Sequence, residues 1–416
     1  MIDIRDILKH TEEFIQAWSQ RGLDEGYIRK EVQTCLDTHE HIKSLKAQVE
    51  EENRKKKQIA RESIKGGDQD WQEARSLRSD VRLRKNEIEE GEKKLRESLL
   101  RLPNLPLPEV PLGRDQSQNR ECHRVRDEAC YVDEKKQPHW DLAKSWGWID
   151  LEAGSRLTGS GFPVFRGEGV RWIRALINFF LNQASQAGYE EVLPPILINA
   201  TSAEGTGQLP DKDKQMYLLP EEGYYLLPTS EVALMNLYRG SILDKKDFPL
   251  KLVAHTPCFR REAGSWGKQV RGLNRLHQFD KVEIVQISLP EHSMEALDSM
   301  CRHVEELLDG LELPYRKILL CSGDMGFSAA ITYDYEVFSQ AQGRWLEVSS
   351  VSNCGDFQSR RLLLRYKEDK KNLFPHSLNG SALALPRIIA CLMENYQDSD
   401  GTGICLPEGV RKRLCL

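Results

Sequence analysis

Residues Phe259–Glu283 read FRREAGSWGKQVRGLNRLHQFDKVE. The stretch opens on Phe259-Arg260-Arg261-Glu262 and continues through a basic segment, Lys268 and Arg271, punctuated by Gly264, Gly267 and Gly272. It closes on an alternating run from Phe279 to Val285, and alternation with period two predicts a half-buried strand. The upstream run Leu252-Val253-Ala254 supplies a partner, so the whole predicts a long β-hairpin. Such a hairpin sets arginines, a glutamate and an aromatic ring on one face. An arginine fork suits phosphate, and a phenylalanine face suits a stacked base. That combination can hold a nucleotide without a glycine-rich phosphate loop. FRRE taken alone fits an exposed strand with ordinary surface charge equally well, so the flanking chain has to decide.

On the amino-terminal side, 167–187 predicts an amphipathic helix built on Val170, Ile173, Leu176, Ile177 and Phe180. A strand ending in Pro194-Pro195 follows, then a turn-rich loop GTGQLP at 205–210, then a short strand 224–227 leading into Pro228-Thr229-Ser230-Glu231. On the carboxyl-terminal side come a helix over 290–310 and strands over 315–322, 333–338 and 344–350. The run LNGSALALPR, 378–387, then leads into an apolar helix that reaches Tyr396. Strands adjacent in sequence and joined by turns predict an α+β domain, an antiparallel β-sheet flanked by helices.

Further upstream the character changes. Residues 102–116, LPNLPLPEVPLGRDQ, carry four prolines and predict a stiff linker between a domain 1–105 and a domain 106–416. Residues 1–25 predict a short amphipathic helical segment ended by Gly22. Ile28, Cys35, Ile42 and Val49 then fall seven apart, as do Ala74, Val81, Ile88 and Leu95, on either side of Gly66-Gly67-Asp68. Two heptad runs around a glycine turn predict a long antiparallel α-helical coiled-coil arm over about 27–99, with Gly91 a weak position in its second helix. The outer arm is basic, with Arg54, Lys55, Lys56, Lys57, Arg61, Arg75, Arg78, Arg82 and Lys85. These charges fit solvated flanks balanced by Glu50, Glu51, Glu52 and Glu62, or a rod lying along a nucleic-acid backbone.

Composition sets outer limits. Hydrophobic residues make up 39% and charged residues 30% of 416, which predicts a soluble protein with room for a large core. A net charge of −5 argues against a uniformly basic nucleic-acid binder but leaves local basic patches. The ten cysteines show no C-x-x-C pair and no zinc-ligand spacing, so they predict reduced thiols in a cytoplasmic protein with no zinc. No apolar run is long enough to span a bilayer, and MIDIRDILKHTEE has no signal-peptide core, so no membrane association is expected.

GTGQLP, LPTSEV, HTPCFRREAGSWGKQVRGLNRLHQFDKVE, DMGFSAAITYDYEVF, EVSSVSN-x₃-FQSRRL and LNGSALALPR occur in that order. Together they resemble motifs of the class II aminoacyl-tRNA synthetases and, more narrowly, of bacterial-type seryl-tRNA synthetases, over essentially the whole chain. The basic hairpin resembles that family's tRNA-binding arm.

The resemblance implies that L-serine and ATP give seryl-adenylate, whose seryl group passes to the 3′ end of tRNA(Ser), with tRNA(Sec) left open as a second acceptor. It implies that Arg260, Glu262 and Arg387 are the catalytic residues. Arg260 bridges the serine carboxylate and α-phosphate, Glu262 takes the adenine amino group, and Arg387 binds the γ-phosphate. Phe279 stacks on adenine. Arg261, Val348 and Ser349 complete the ATP site, and Glu347 and Ser350 resemble ligands for Mg²⁺. Thr229, Ser230, Glu231, Glu283 and Ser381 match the serine site, Ser230 through its backbone. Arg54, Lys55, Lys57, Arg61, Arg75, Arg78 and Arg82 contact tRNA. The helix 167–187 and Pro194-Pro195 resemble the class's dimer interface and imply a homodimer.

The chemistry agrees with the roles. Adenylation brings an anionic carboxylate against an anionic phosphate, so an intervening cation offsets the repulsion. The substrate's own carboxylate attacks, so no protein nucleophile is required. Some positions depart from the family pattern. Ala382 and Pro386 stand where glycines are usual, Arg261 replaces a smaller residue, and Trp266 sits in the hairpin loop. Two other readings are a non-catalytic paralogue binding RNA or protein through the arm, and a ligase acting on a carrier protein. The first predicts losses among Arg260, Glu262, Glu347 and Arg387; the second predicts no arm.

Overall fold

The computed structural model describes residues 1–62, 68–211, 214–263 and 271–416, with side chains described throughout except within 60–74. The expected turn at Gly66-Gly67 and loop residues Gly264, Trp266, Gly267 and Lys268 lie outside the described residues, as do the side chains of Arg61 and Ala74. The chain separates into two compact units, Met1–Leu105 and Pro106–Leu416.

In the first unit the opening segment is two helices, α1 (Ile4–Lys9) and α2 (Thr11–Gln20), rather than one. Asp3 caps α1 by accepting from the Arg5 amide. Then come α3 (Glu25–Glu62) and α4 (Asp68–Leu100), each about 50–60 Å long at 1.5 Å per residue. Ile28, Cys35, Ile42 and Val49 are buried on α3, and Val81, Ile88 and Leu95 on α4. The heptad spacing thus became a packed seam. Lys46 pairs with Glu92 at 2.7 Å and Arg84 with Glu52 at 2.7 Å, so residue numbers rise on one helix as they fall on the other. The helices are antiparallel. Gly91 has a positive reason to be small: a Cβ there would stand 3.0 Å from the Ile42 side chain.

The second unit is built on an eight-stranded sheet. Its strands are β1 (Arg120–Val125), β2 (Glu190–Glu191), β3 (Leu250–Phe259), β4 (Gln278–Ser288), β5 (Tyr315–Leu319), β6 (Ile331–Ser339), β7 (Arg344–Asn353) and β8 (His376–Ala384), in the order β1-β5-β6-β7-β8-β4-β3-β2. All neighbours are antiparallel except β2 with β3 at one edge. The expected strand over 188–195 is only the two residues of β2, extended by one bond from the Val192 amide to the Val253 carbonyl; Pro194 and Pro195, two residues further, cannot donate to a ladder. The hairpin at the centre of the sequence reading is β3–β4, in continuous register from Phe259 opposite Gln278 to Leu250 opposite Ile287.

Five helices matter to the site: α5 (His139–Trp146), α6 (Glu168–Gln186), α7 (Ser230–Asn236), α8 (Ser293–Gly310) and α9 (Phe357–Leu362); a sixth, α10 (Leu385–Tyr396), follows β8 directly. Trp172, Leu176 and Phe180 of α6 enter one apolar core with Leu297, Met300 and Val304 of α8 and Ile388, Leu392 and Met393 of α10. Sheet residues Val253, Val282, Ile284, Val337 and Val351 form its other wall. With one sheet face sealed by these helices, the polar residues alternating with that set line the other face.

Candidate active site

The other side of the sheet holds a cavity of about 510 Å³, lined from β4, β7 and β8, from the starts of α7 and α10, and by the segments just after β3 and just before β4. Its walls include Thr229, Glu231, Arg260, Glu262, Phe279, Glu283, Glu347, Val348, Ser349, Ser350, Ser381 and Arg387. Residues as far apart in sequence as Thr229 and Arg387 therefore share one site.

Local structure explains how each arrives. Phe279, Lys281 and Glu283 alternate along β4, so period two puts them on one face. Glu283 is the cross-strand partner of Ser381 on β8, and Ser381 Oγ donates to Glu283 Oε2 at 3.3 Å. Thr229 is the N-cap of α7 and accepts from the Glu231 amide. Glu347 and Ser350 are three apart, yet both oppose even-numbered residues of β6, Glu336 and Asp334. A bulge at Val348 shifts the register and turns both to one face. Pro386 stands in the first turn of α10, where a missing N–H costs nothing, and Ala382 is fully buried.

At one end lies a buried polar cluster. Lys281 Nζ sits 2.6 Å from Glu283 Oε2 and donates to Thr229 Oγ1 at 2.8 Å, with both charged side chains at most 6% exposed. Glu231 Oε1 accepts from Gln358 Nε2 at 2.6 Å and from Asn379 Nδ2 at 2.9 Å. Among the described residues no cation comes within ion-pair distance of Glu231. Burial, and secondarily the neighbouring Glu283, push its carboxyl up to about 7. The cluster thus holds one carboxylate already neutralised by Lys281 and one still lacking a counter-ion.

At the other end the groups are cationic and aromatic. The Arg260 guanidinium lies 5.3 Å from the Phe279 ring centre, and its Nε donates to the Pro228 carbonyl. Glu262 pairs with Arg275 at 2.8 Å and has a φ of 47°, a left-handed conformation that a non-glycine residue holds at some cost. Arg387 donates from Nη1 to the Glu347 carbonyl at 2.6 Å and from Nε to the Asn274 carbonyl at 3.2 Å.

Arg261 takes another position, and the side chain of Ser230, expected to act through its backbone, turns away from the cleft. Ser230 is fully buried and its hydroxyl meets Thr256 Oγ1 at 2.7 Å, outside the cavity lining. Thr229 is extended (φ −166°, ψ 143°), so the Ser230 side chain that follows it points to the opposite side. Arg261 is exposed and is likewise absent from the cavity wall; its amide donates to the Gln215 carbonyl instead. Val348 and Ser349 do line the wall, but Val348 is buried and Ser349 Oγ donates to the Ser381 carbonyl at 2.6 Å. Residues not singled out from the sequence also enter: Lys281, Arg275, Asn274, Asn379 and Gln208 line the cavity, and Gln358 holds Glu231 from behind. Lys281 was legible, since it falls midway in the Phe279-to-Glu283 alternation.

Among the described residues no group of three or more His, Cys, Asp or Glu is placed to hold a metal by itself. Glu347 and Ser350 offer only hard oxygen atoms. Beside them Asp334 has a buried Oδ1 with no hydrogen-bond partner, and burial followed by the nearby Glu347 raises its carboxyl well above the ordinary range. Such a partial oxygen set fits Mg²⁺ that draws its remaining ligands from phosphate and water. On the arm, Arg54, Lys55, Lys57, Arg75, Arg78 and Arg82 are all exposed. No described helix is long and apolar enough to cross a membrane.

Residues 217–396 match the model of the tRNA synthetase class II core domain (G, H, P, S and T). The chain is 50% identical over 325 residues to the serine–tRNA ligase of Salinibacter ruber, covering 78% of this chain and 76% of that one. It is 44% identical over 415 residues to that of Akkermansia muciniphila, covering 99% and 97%. Among solved structures, seryl-tRNA synthetase from Pyrococcus horikoshii complexed with ATP superposes with a TM-score of 0.93 at 32% identity, over 100% of this chain and 98% of that one. The chain belongs to the serine–tRNA ligase family of class II tRNA synthetases.

Proposed function

We propose that this chain activates L-serine with ATP, forming seryl-adenylate and pyrophosphate, and transfers the seryl group to the 3′ end of tRNA(Ser). One observation carries the reading: a single cleft joins a buried acid cluster suited to a small ammonium ligand with an arginine-rich wall suited to phosphates.

Serine enters at the acid cluster. Glu283 is already paired with Lys281, so the serine ammonium goes to Glu231, the carboxylate without a cation. The serine hydroxyl is left to the polar set around Thr229, Glu283 and Ser381. A site built to bond that hydroxyl leaves buried groups unpaired when alanine occupies it, which is a large penalty. The serine carboxylate then faces the cation wall. Its oxygen attacks the α-phosphorus of ATP as the bond to the bridging oxygen breaks and pyrophosphate leaves. Arg260, beside Phe279, offsets charge between carboxylate and α-phosphate, while Arg387 and Arg275 take the outgoing phosphates. Glu262 reads the adenine amino group over the Phe279 platform. Mg²⁺ held by Glu347 and Ser350 supplies charge neutralisation across the phosphates when bound. In the second step a 3′-terminal hydroxyl of tRNA attacks the seryl carbonyl carbon and AMP departs.

The exposed basic residues of the arm support tRNA binding along the phosphate backbone. A homodimer formed through α6 and the Pro194-Pro195 segment, and a cytoplasmic location, complete the proposal.

The test is ATP–pyrophosphate exchange with each standard amino acid in turn, without tRNA. Exchange with serine alone is expected. No exchange with any amino acid would remove the adenylation reading and favour a non-catalytic RNA-binding role.

A further inference from the structure

Behind the phosphate end of the cleft lies a buried acid–imidazole pair, neither member of which lines the cavity itself. His139, at the start of α5, and Glu394, near the end of α10, are 1% and 0% exposed. Glu394 Oε1 accepts from the His139 amide at 2.9 Å, from His139 Nδ1 at 2.6 Å and from Gln342 Nε2 at 2.8 Å. Its Oε2 accepts from Ser339 Oγ. Burial pushes the Glu394 carboxyl up, but the bonds from His139 outweigh this and hold it below the ordinary carboxylate range.

The far side of the imidazole faces the turn that leads into β4. The Leu273 amide donates to His139 Nε2 at 2.8 Å. An amide N–H can only donate, so Nε2 is the bare acceptor and the ring proton sits on Nδ1, aimed at Glu394. The approach is close: a Cβ on Gly272, whose φ is 68°, would come within 2.2 Å of Nε2. Next to Leu273, Asn274 accepts Arg387 Nε through its carbonyl, and its side-chain amide donates to Gln342 Oε1 at 3.3 Å, returning to Glu394. Arg275, one residue further, holds Glu262.

We propose that His139 and Glu394 are positioning residues for ATP: the Glu394–His139–Leu273 relay fixes the 272–275 segment and, through it, the orientation of Arg387 and Arg275. The inference rests on the adenylation reading above. Serine's proposed partners Thr229, Glu231 and Glu283 come from other elements, so the relay acts on one substrate. A displacement of about 1 Å in groups that orient a reacting phosphate is enough for large losses.

Two substitutions separate positioning from mere packing. In His139→Gln the side-chain carbonyl stands where Nε2 stood and can accept from Leu273. In His139→Asn the shorter amide still donates to Glu394 but leaves the Leu273 amide without an acceptor. Pyrophosphate exchange should give His139→Asn a KM for ATP raised about tenfold or more with KM for serine within about twofold, and His139→Gln a KM for ATP close to that of the unsubstituted protein. Equal KM values for ATP in the two variants, raised or not, overturn the proposal. Should neither variant fold, Gly272→Ala pushes the same segment off the imidazole. A selective rise in KM for ATP is expected there, and an unchanged value overturns the proposal. If the unsubstituted protein shows no exchange, the adenylation reading itself fails, and this inference with it.

Discussion

Glu231 gives the sharpest quantitative consequence of the cleft. Its carboxyl is raised from an ordinary 4.5 to about 7, first by burial and then by Glu283, while its hydrogen bonds come from the neutral amides of Gln358 and Asn379. A raised carboxyl favours the folded state through its bound proton. That contribution is complete below the unfolded value of 4.5 and is lost as pH climbs through about 7. At alkaline pH the ionised, buried group therefore costs the ligand-free protein roughly 3 kcal/mol. Serine reverses the sign, because its ammonium needs the ionised form. At pH 6, one unit below the folded value, about nine sites in ten carry the proton and must release it before serine binds. KM for serine should therefore fall about tenfold from pH 6 to pH 8, and the thermal upshift on adding saturating serine should grow over the same interval. Glu231→Gln should bind serine far more weakly and with almost no dependence on pH in that window. Pyrophosphate exchange and thermal melts at half-unit steps of pH measure both. A KM for serine that stays flat from pH 6 to 8, or an equal slope in Glu231→Gln, would refute the assignment of the ammonium to this carboxylate.

Other predictions concern the rest of the molecule. Arg260→Ala should abolish serine-dependent exchange while leaving tRNA affinity, measured by filter binding, nearly intact; full exchange would remove the role given to the hairpin arginine. Replacing 30–96 by a short loop should do the reverse, keeping exchange and losing tRNA binding together with its steep salt dependence. Lys281→Met strips the counter-ion from a carboxylate only 3% exposed, so a loss of about 3–5 kcal/mol and a melting point lower by about 5 °C are expected. Adding Glu283→Gln to it should recover part of that loss, since the uncompensated charge is then gone; calorimetry of the pair decides.

How much of this was legible beforehand depended on whether the information was local. The seven-residue spacing of Ile28, Cys35, Ile42 and Val49 forces one stripe on any α-helix, and the stripe is buried. The alternation from Phe279 to Val285 forces one strand face, and Phe279, Lys281 and Glu283 share it. Pro386 could stand in the first turn of a helix and does. Ser230, by contrast, sits within a triplet whose two neighbours reach the cleft, and only the start of α7 turns it toward Thr256. Arg261 was indistinguishable from Arg260 in composition, yet it lies outside the cavity wall.

The long helices, the central hairpin, the order of the motifs and the family follow from the chain alone, because periodicities of 2, 3.6 and 7 are properties of neighbouring residues. Which polar groups meet depends on the packed fold. The bulge at Val348 that aligns Glu347 with Ser350 appears as a register shift against β6, not as a pattern within β7. The bond from Lys281 to Thr229 joins residues 52 positions apart, and that from His139 to Glu394 joins residues 255 apart. Their bonds hold because burial leaves a charged or polar atom no solvent alternative, and burial is a property of the packed sheet and helices together.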